Sequence, residues 1–444
     1  MSLALLAAAI GGSANTATAQ VLVPGFNRVV GGVTVDAAGV AQNVSVADQR
    51  IWAQKLREQI QGAPQRLQNA EGLRHVSLKR LAETVAAADR EHKAVDEATM
   101  YLGGLTRVEY ILLYPEQNDI VLAGPAEDWA VSEDGTVIGK KSKQPVLRLD
   151  DLITAFAELN CESPESLSVS IEPTAEGSQR LNELLGSVRL SGNQSPQALE
   201  PAMREAFGPQ QVLLTGVEAD RHLAKVMFAA DYQMKRIGMK LKASPVKGLP
   251  SYVDMLRHAA PPENQSRWWF AANYDAVERS EDSQAWRISG MGLKLQTEED
   301  VVQADGSRLA GGKSDPLAEK WAEAFTESMD KLIVAEPAIG QLRGVMDLCV
   351  AAAVVRSHNL ENLANCDLSA FRQAKLDMGE DAAPAPQSVD PQCSFLKAGS
   401  SWIVTASGGV LIDPWSTAQA AVENQSLTAV RQTVQPESQE SAIW

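Results

Sequence analysis

The sequence predicts an α+β fold, with mixed small sheets and hairpins packed against helices in two to three domains. Three observations lead there. The stretch 166–173 (SLSVSIEP) alternates apolar and polar residues, the period of a half-buried strand, and 107–114 (RVEYILLY) also reads as a strand. Other stretches space their apolar residues by three and four, the period of a helix stripe. A chain of 444 residues also exceeds the usual size of one hydrophobic core.

In chain order, residues 29–46 read as a hairpin turning at Asp36-Ala37-Ala38-Gly39. Helices follow over 48–61 and 77–98, the second with a stripe at Leu78, Leu81, Val85 and Ala88. The strand at 107–114 turns at Pro115–Asp119 into 120–124, and a second hairpin signal sits at Asp134-Gly135. A helix over 150–159 closes this unit. Beyond Ser166 come a strand, a helix over 174–188 and a short helix over 201–207.

The best-specified local structure is the unit 212–241. Val212-Leu213-Leu214 has strand character, and Leu223, Val226, Met227, Ala230, Met234 and Ile237 form one helical stripe. Asp220 is placed to cap this helix and Gly238 to end it in a left-handed conformation. Arg221, His222, Lys225, Gln233, Lys235 and Arg236 are expected on a basic outer face.

The Pro-rich loop 243–262 holds one short helix. A strand containing Trp268-Trp269 then turns at Glu281-Asp282-Ser283 and returns over 285–296. Asp315-Pro316 marks the start of a helix carrying Leu317, Trp321, Phe325, Met329 and Leu332, and Pro337 starts another that runs to about His358. A late hairpin is expected to turn at Ser407-Gly408-Gly409.

These elements divide the chain into a signal peptide (1–19) and a domain of hairpin, helices and strands (20–160). An α/β domain follows (161–245), then a hairpin plus two-helix domain (246–378), a linker (379–392), the late hairpin (393–430) and a disordered tail (431–444). The signal peptide reading rests on an apolar run, Leu3–Ile10, followed by Ala17-Thr18-Ala19, so the mature chain should begin at Gln20. No Lys or Arg precedes the run, which suits a start codon placed too far downstream. The expected location is therefore the periplasm or the cell surface.

The net charge of -16 argues against nucleic acid and anionic membrane surfaces as partners, since both need a basic footprint. No later run of uninterrupted apolar residues reaches the length of a spanning helix, so the chain is read as not transmembrane. Cys161, Cys349, Cys366 and Cys393 include no C-x-x-C spacing, and a bridge between Cys366 and Cys393, flanking the linker, is expected.

Several long runs resemble a known family: 216–239 (GVEADRHLAKVMFAADYQMKRIGM), the RWWF strand, 290–300 (GMGLKLQTEED), 315–330 (DPLAEKWAEAFTESMD) and 400–415 (SSWIVTASGGVLIDPW). This is the exported planctomycete-type family called domain of unknown function fifteen-ninety-eight. The resemblance implies export and supplies no catalytic residues.

No local signature of chemistry emerges from the residues. The five histidines are scattered, which excludes short metal-binding spacing, and no metal or cofactor is expected. The Ser328–Lys331 and Ser244–Lys247 pairs lack the companion motifs of an acyl-transfer serine. Asp220 and His222, and Asp254 and His258 four residues apart, are weak catalytic candidates. Lys225, Lys235, Arg236 and Trp268 are weak binding candidates. The expectation is a non-catalytic binding or assembly role with an unknown protein or cell-envelope component. The alternative is a periplasmic hydrolase whose site is assembled from distant residues.

Overall fold

The computed structural model describes residues 29–36, 38–159, 165–188, 196–257, 259, 265–302, 308–310, 312–374, 383–398, 401–405 and 407–433. The signal peptide, Cys161, His258 and residues 434–444 lie outside this set.

The fold is α+β. Nine strands form the larger sheet, in the order Val33–Val35, Val40–Asn43, Ser388–Val389, Gln210–Thr215, Leu167–Pro173, Ser407–Ile412, Gln265–Asn273, Gly292–Val302 and Arg308–Ala310. Most neighbours pair antiparallel, but Ser407–Ile412 runs parallel to Gln265–Asn273, and Ser388–Val389 runs parallel to Val40–Asn43. A six-stranded sheet carries Glu71–Ser77, Tyr110–Tyr114 and Asp119–Ala126, the inserted hairpin Val277–Arg279 with Ala285–Arg287, and Ala421–Glu423.

Five of the sequence segments thus contribute strands to one sheet. Their apolar faces join a continuous core reaching from Val30 to Ala418. Two helices fill its centre. Pro337–Ser357 is buried along nearly its whole length. By length and mean hydropathy it could cross a bilayer, but here other elements enclose it. His222–Gly238, the central helix, packs against it and against the Leu167–Pro173 and Ser407–Ile412 strands.

The central helix differs from its expected form in three respects. It starts at His222 behind Arg221, with no side-chain cap, so Asp220 stays in the preceding loop. Gly238 is still helical, and the residue after it has φ -80. A Cβ on Gly238 would meet Trp268 at 2.8 Å and Trp321 at 2.9 Å, so glycine is needed there for packing rather than for a left-handed turn. The expected basic outer face is broken up: Lys225, Gln233 and Lys235 are buried, because the helix is covered on several sides instead of one, while Arg221, His222 and Arg236 are half-buried.

Three other expectations are corrected. Ser401–Thr405 pairs with Ser394–Ala398, so the late hairpin turns earlier than Ser407. Ser407-Gly408-Gly409 instead begins a sheet strand. Gly408 has φ +113, and a Cβ there would meet the Trp268 carbonyl at 1.6 Å, so its conformation and this backbone contact demand glycine. Residues 383–392 of the expected linker are fastened to the fold, because their backbone donors find sheet and loop carbonyls: Ala385 N bonds Ala219 O and Gln387 N bonds Gly39 O. Finally, residues 431–433 of the expected tail end the helix Leu427–Thr433, where Arg431 stacks on Tyr114 and donates to Leu113 O.

Candidate binding cleft

Titratable side chains gather where the N-terminus of the central helix meets Leu149–Glu158. His222 Nδ1 lies 2.9 and 3.0 Å from the two carboxylate oxygens of Asp151. Beside them Arg148 grips Asp150 through Nε and Nη2, at 2.8 and 2.7 Å. Burial pushes the Asp150 carboxyl up, but Arg148 and His222 outweigh it and hold it at about 2. Burial, with Asp150 alongside, raises Asp151. Burial lowers Lys225, which lies near Asp150.

Asp150, Asp151 and His222 each offer a ligand atom within 4.8 Å of the others. Those atoms are already engaged with Arg148 and with one another, and the guanidinium supplies the positive charge a cation would bring. The adjoining crevice measures about 10 Å³, room for roughly one water. It is lined by Pro145–Arg148, Asp151, His222 and, from Pro337–Ser357, Gln341 with glycine and apolar residues, with no serine, threonine or cysteine among them. This is a buried ion network with a base and no space for a substrate.

Space exists elsewhere. At the C-terminal end of the central helix an open cleft of about 280 Å³ is bounded by Ala41–Asn43, Arg204, Tyr232, Arg236, Leu241 and the strap Asp390–Gln392. It shares no residue with the crevice at His222. The strap is held by Arg204, which donates to Pro391 O at 2.9 Å and Cys393 O at 3.0 Å while pairing with Glu200. Gln210 Oε1 accepts from Gln392 N at 2.6 Å.

Inside the cleft Arg236 stacks its guanidinium 5.3 Å over the ring of Tyr232, four residues earlier on the same helix face. Its Nη bonds are long, 3.2 Å to Tyr232 Oη and 3.4 Å to Leu241 O, and its Nε has no partner among the described residues. Gln392 is 4% exposed, and its Oε1 likewise lacks a partner. The exposed Asp390 carboxylate makes no ion pair among the described residues.

Of the residues singled out from sequence, the structure brings Arg236 to the cleft and His222 to Asp151. Asp220 is exposed, with Arg221 3.8 Å away. Asp254 pairs with Lys240 and accepts from the hydroxyl of Ser251, which caps the short helix by accepting from Asp254 N. Lys235 is wholly buried on Asp231. Trp268 is 0% exposed and packs at a tilt against Trp321, ring centroids 4.4 Å apart, so it serves the core and cannot reach a ligand. Cys366 and Cys393 are both free and buried, which removes the expected bridge. Cys366 packs in the main core, whereas Cys393 sits in a separate cluster with Leu181, Met203 and Phe207.

Arg204, Tyr232, Asp390 and Gln392 escaped sequence reasoning, as did Arg148, Asp150 and Asp151. A Tyr-x-x-x-Arg spacing on a helix was the one available signal; the other residues meet only through long-range packing.

Comparison with known proteins bears on one part of this arrangement. Residues 169–252 match the family model described as Protein of unknown function (DUF1598). The matched segment carries Arg204, Tyr232, Arg236 and Leu241, while Ala41–Asn43 and Asp390–Gln392 reach the cleft from outside it. No curated protein and no solved structure matches the chain.

Proposed function

We propose that the protein is an exported, non-catalytic binding protein that holds a small polar ligand in the cleft beside Arg236. One observation carries the reading: the space and the base are in different places. The cleft of about 280 Å³ approaches the lower size of small-molecule sites and lacks a nucleophile–base pair. The Asp151–His222 pair has only a crevice of about 10 Å³. Export is supported by the sequence Leu3–Ile10, an apolar run, followed by the Ala17-Thr18-Ala19 box.

The hydrolase alternative rests on Asp151 and His222 alone. It requires opening a buried ion network to admit a substrate and a nucleophile from another element.

A screen of small polar metabolites by thermal shift tests the reading. Hits should disappear in Leu241→Trp, which fills the cleft, and survive in Lys93→Gln, an exposed residue that does not line it. Hits unaffected by Leu241→Trp would sink it. For export, N-terminal mass spectrometry of the native protein should find Gln20 first, and an intact Met1 would refute the processing step.

A further inference from the structure

We propose that the cleft ligand is a small zwitterion of amino-acid to dipeptide size, its carboxylate on Arg236 and its ammonium on Asp390; this rests on the cleft being the binding site. Three cleft-lining groups could carry charge: Arg204, Arg236 and Asp390. Arg204 is consumed by Glu200 and by the carbonyls of Pro391 and Cys393. That leaves one cation and one anion in the same cleft, and they form no ion pair with each other.

Opposite charges left apart in one concave site favour a ligand that bridges them. Arg236 is suited to the carboxylate end. Tyr232 holds its plane, and its Nη bonds are weak enough to exchange. Asp390 is exposed and without a cation among the described residues, so an ammonium can reach it from the open side. Asn43 and Gln392 add amides to the wall. A simple anion would meet Arg236 but also face the Asp390 charge; a simple cation would meet the reverse.

Isothermal titration of the full chain with L-alanine, L-glutamine and glycylglycine, against propionate and propylamine, tests this. At least one zwitterion should bind about tenfold or more tightly than either half-molecule, the factor that one retained charge contact of about 1.4 kcal/mol supplies. Asp390→Asn should weaken the zwitterion and leave propionate equally or more tightly bound, while Arg236→Gln should weaken both. Circular dichroism melts of both variants confirm that they fold. Propionate binding as tightly as the zwitterions, with Asp390→Asn silent, overturns the inference and leaves the cleft reading intact. Binding that persists in Leu241→Trp overturns the cleft reading itself. No binding by any probe overturns the zwitterion.

Discussion

Lys235 and Asp231, one turn apart in the central helix, form an ion pair at 2.9 Å with both side chains at 0% exposure. The lysine Nζ also donates to Ile171 O at 3.1 Å and Gly408 O at 2.8 Å, so one ammonium ties the helix to two adjacent strands. Its three donors are all used, which is how a charge predicted to face water is retained in the core. Lys235→Ala strands Asp231 and two carbonyls together. It should cost about 3–5 kcal/mol in chemical denaturation, the usual penalty for breaking a buried pair. A loss below about 1 kcal/mol would contradict the buried pair.

The same pair should give stability a pH signature. Burial, opposed by Lys235, pushes the Asp231 carboxyl from its ordinary 3.8 up to about 7. Between those values the folded chain keeps a proton that the unfolded chain releases. This group's contribution is therefore present below about pH 4 and declines as pH rises through 7. Denaturation midpoints of wild type and Asp231→Asn, compared from pH 4 to 8, should converge or cross along that interval. Parallel curves would show that Asp231 is ionised throughout.

Gly238 sets helix propensity against packing. Alanine is favoured over glycine inside a helix by about 1 kcal/mol. A Cβ here would sit within 3.0 Å of both Trp268 and Trp321, and overpacking a close-packed core costs about 1–3 kcal/mol. Gly238→Ala should therefore destabilise the protein and perturb tryptophan fluorescence. A stabilised variant with an unchanged spectrum would show that the indoles yield easily.

Met227 and Lys225 are both buried, on different sides of the central helix. Met227→Asp places an unpaired charge in the apolar core and should cost several kcal/mol. Lys225→Asp adds an anion near Asp150 and should cost more than the about 0.5 kcal/mol of an ordinary surface change. Urea denaturation of both variants checks this, and a neutral Lys225→Asp would return that face to solvent.

Thiol chemistry provides the last check. Burial raises the Cys366 and Cys393 thiols to about 12, so both should resist alkylation in the native protein and react once it unfolds. Peptide mapping without reductant that finds these two residues joined would contradict their packing in separate clusters.

The sequence by itself determined the α+β class and the position of the central helix. It also placed the Pro316–Glu327 and Pro337–Ser357 starts and the hairpin at Asp36–Gly39. Each is written in a periodicity, cap or turn within about a dozen residues. It also marked Arg236 and His222 as residues of interest. Which sides of the central helix face solvent could not be read there. A charged residue looks the same in sequence whether water or three buried acceptors receive it. Tertiary structure decided that Lys235 is core, that Trp268 is core, and that Cys366 and Cys393 never meet. It also brought Asn43, Arg204, Arg236 and Asp390, from four distant stretches, to one cleft. Sheet pairing sets those distances: the Ser388–Val389 strand inserts between Val40–Asn43 and Gln210–Thr215 through backbone bonds that carry no side-chain signature.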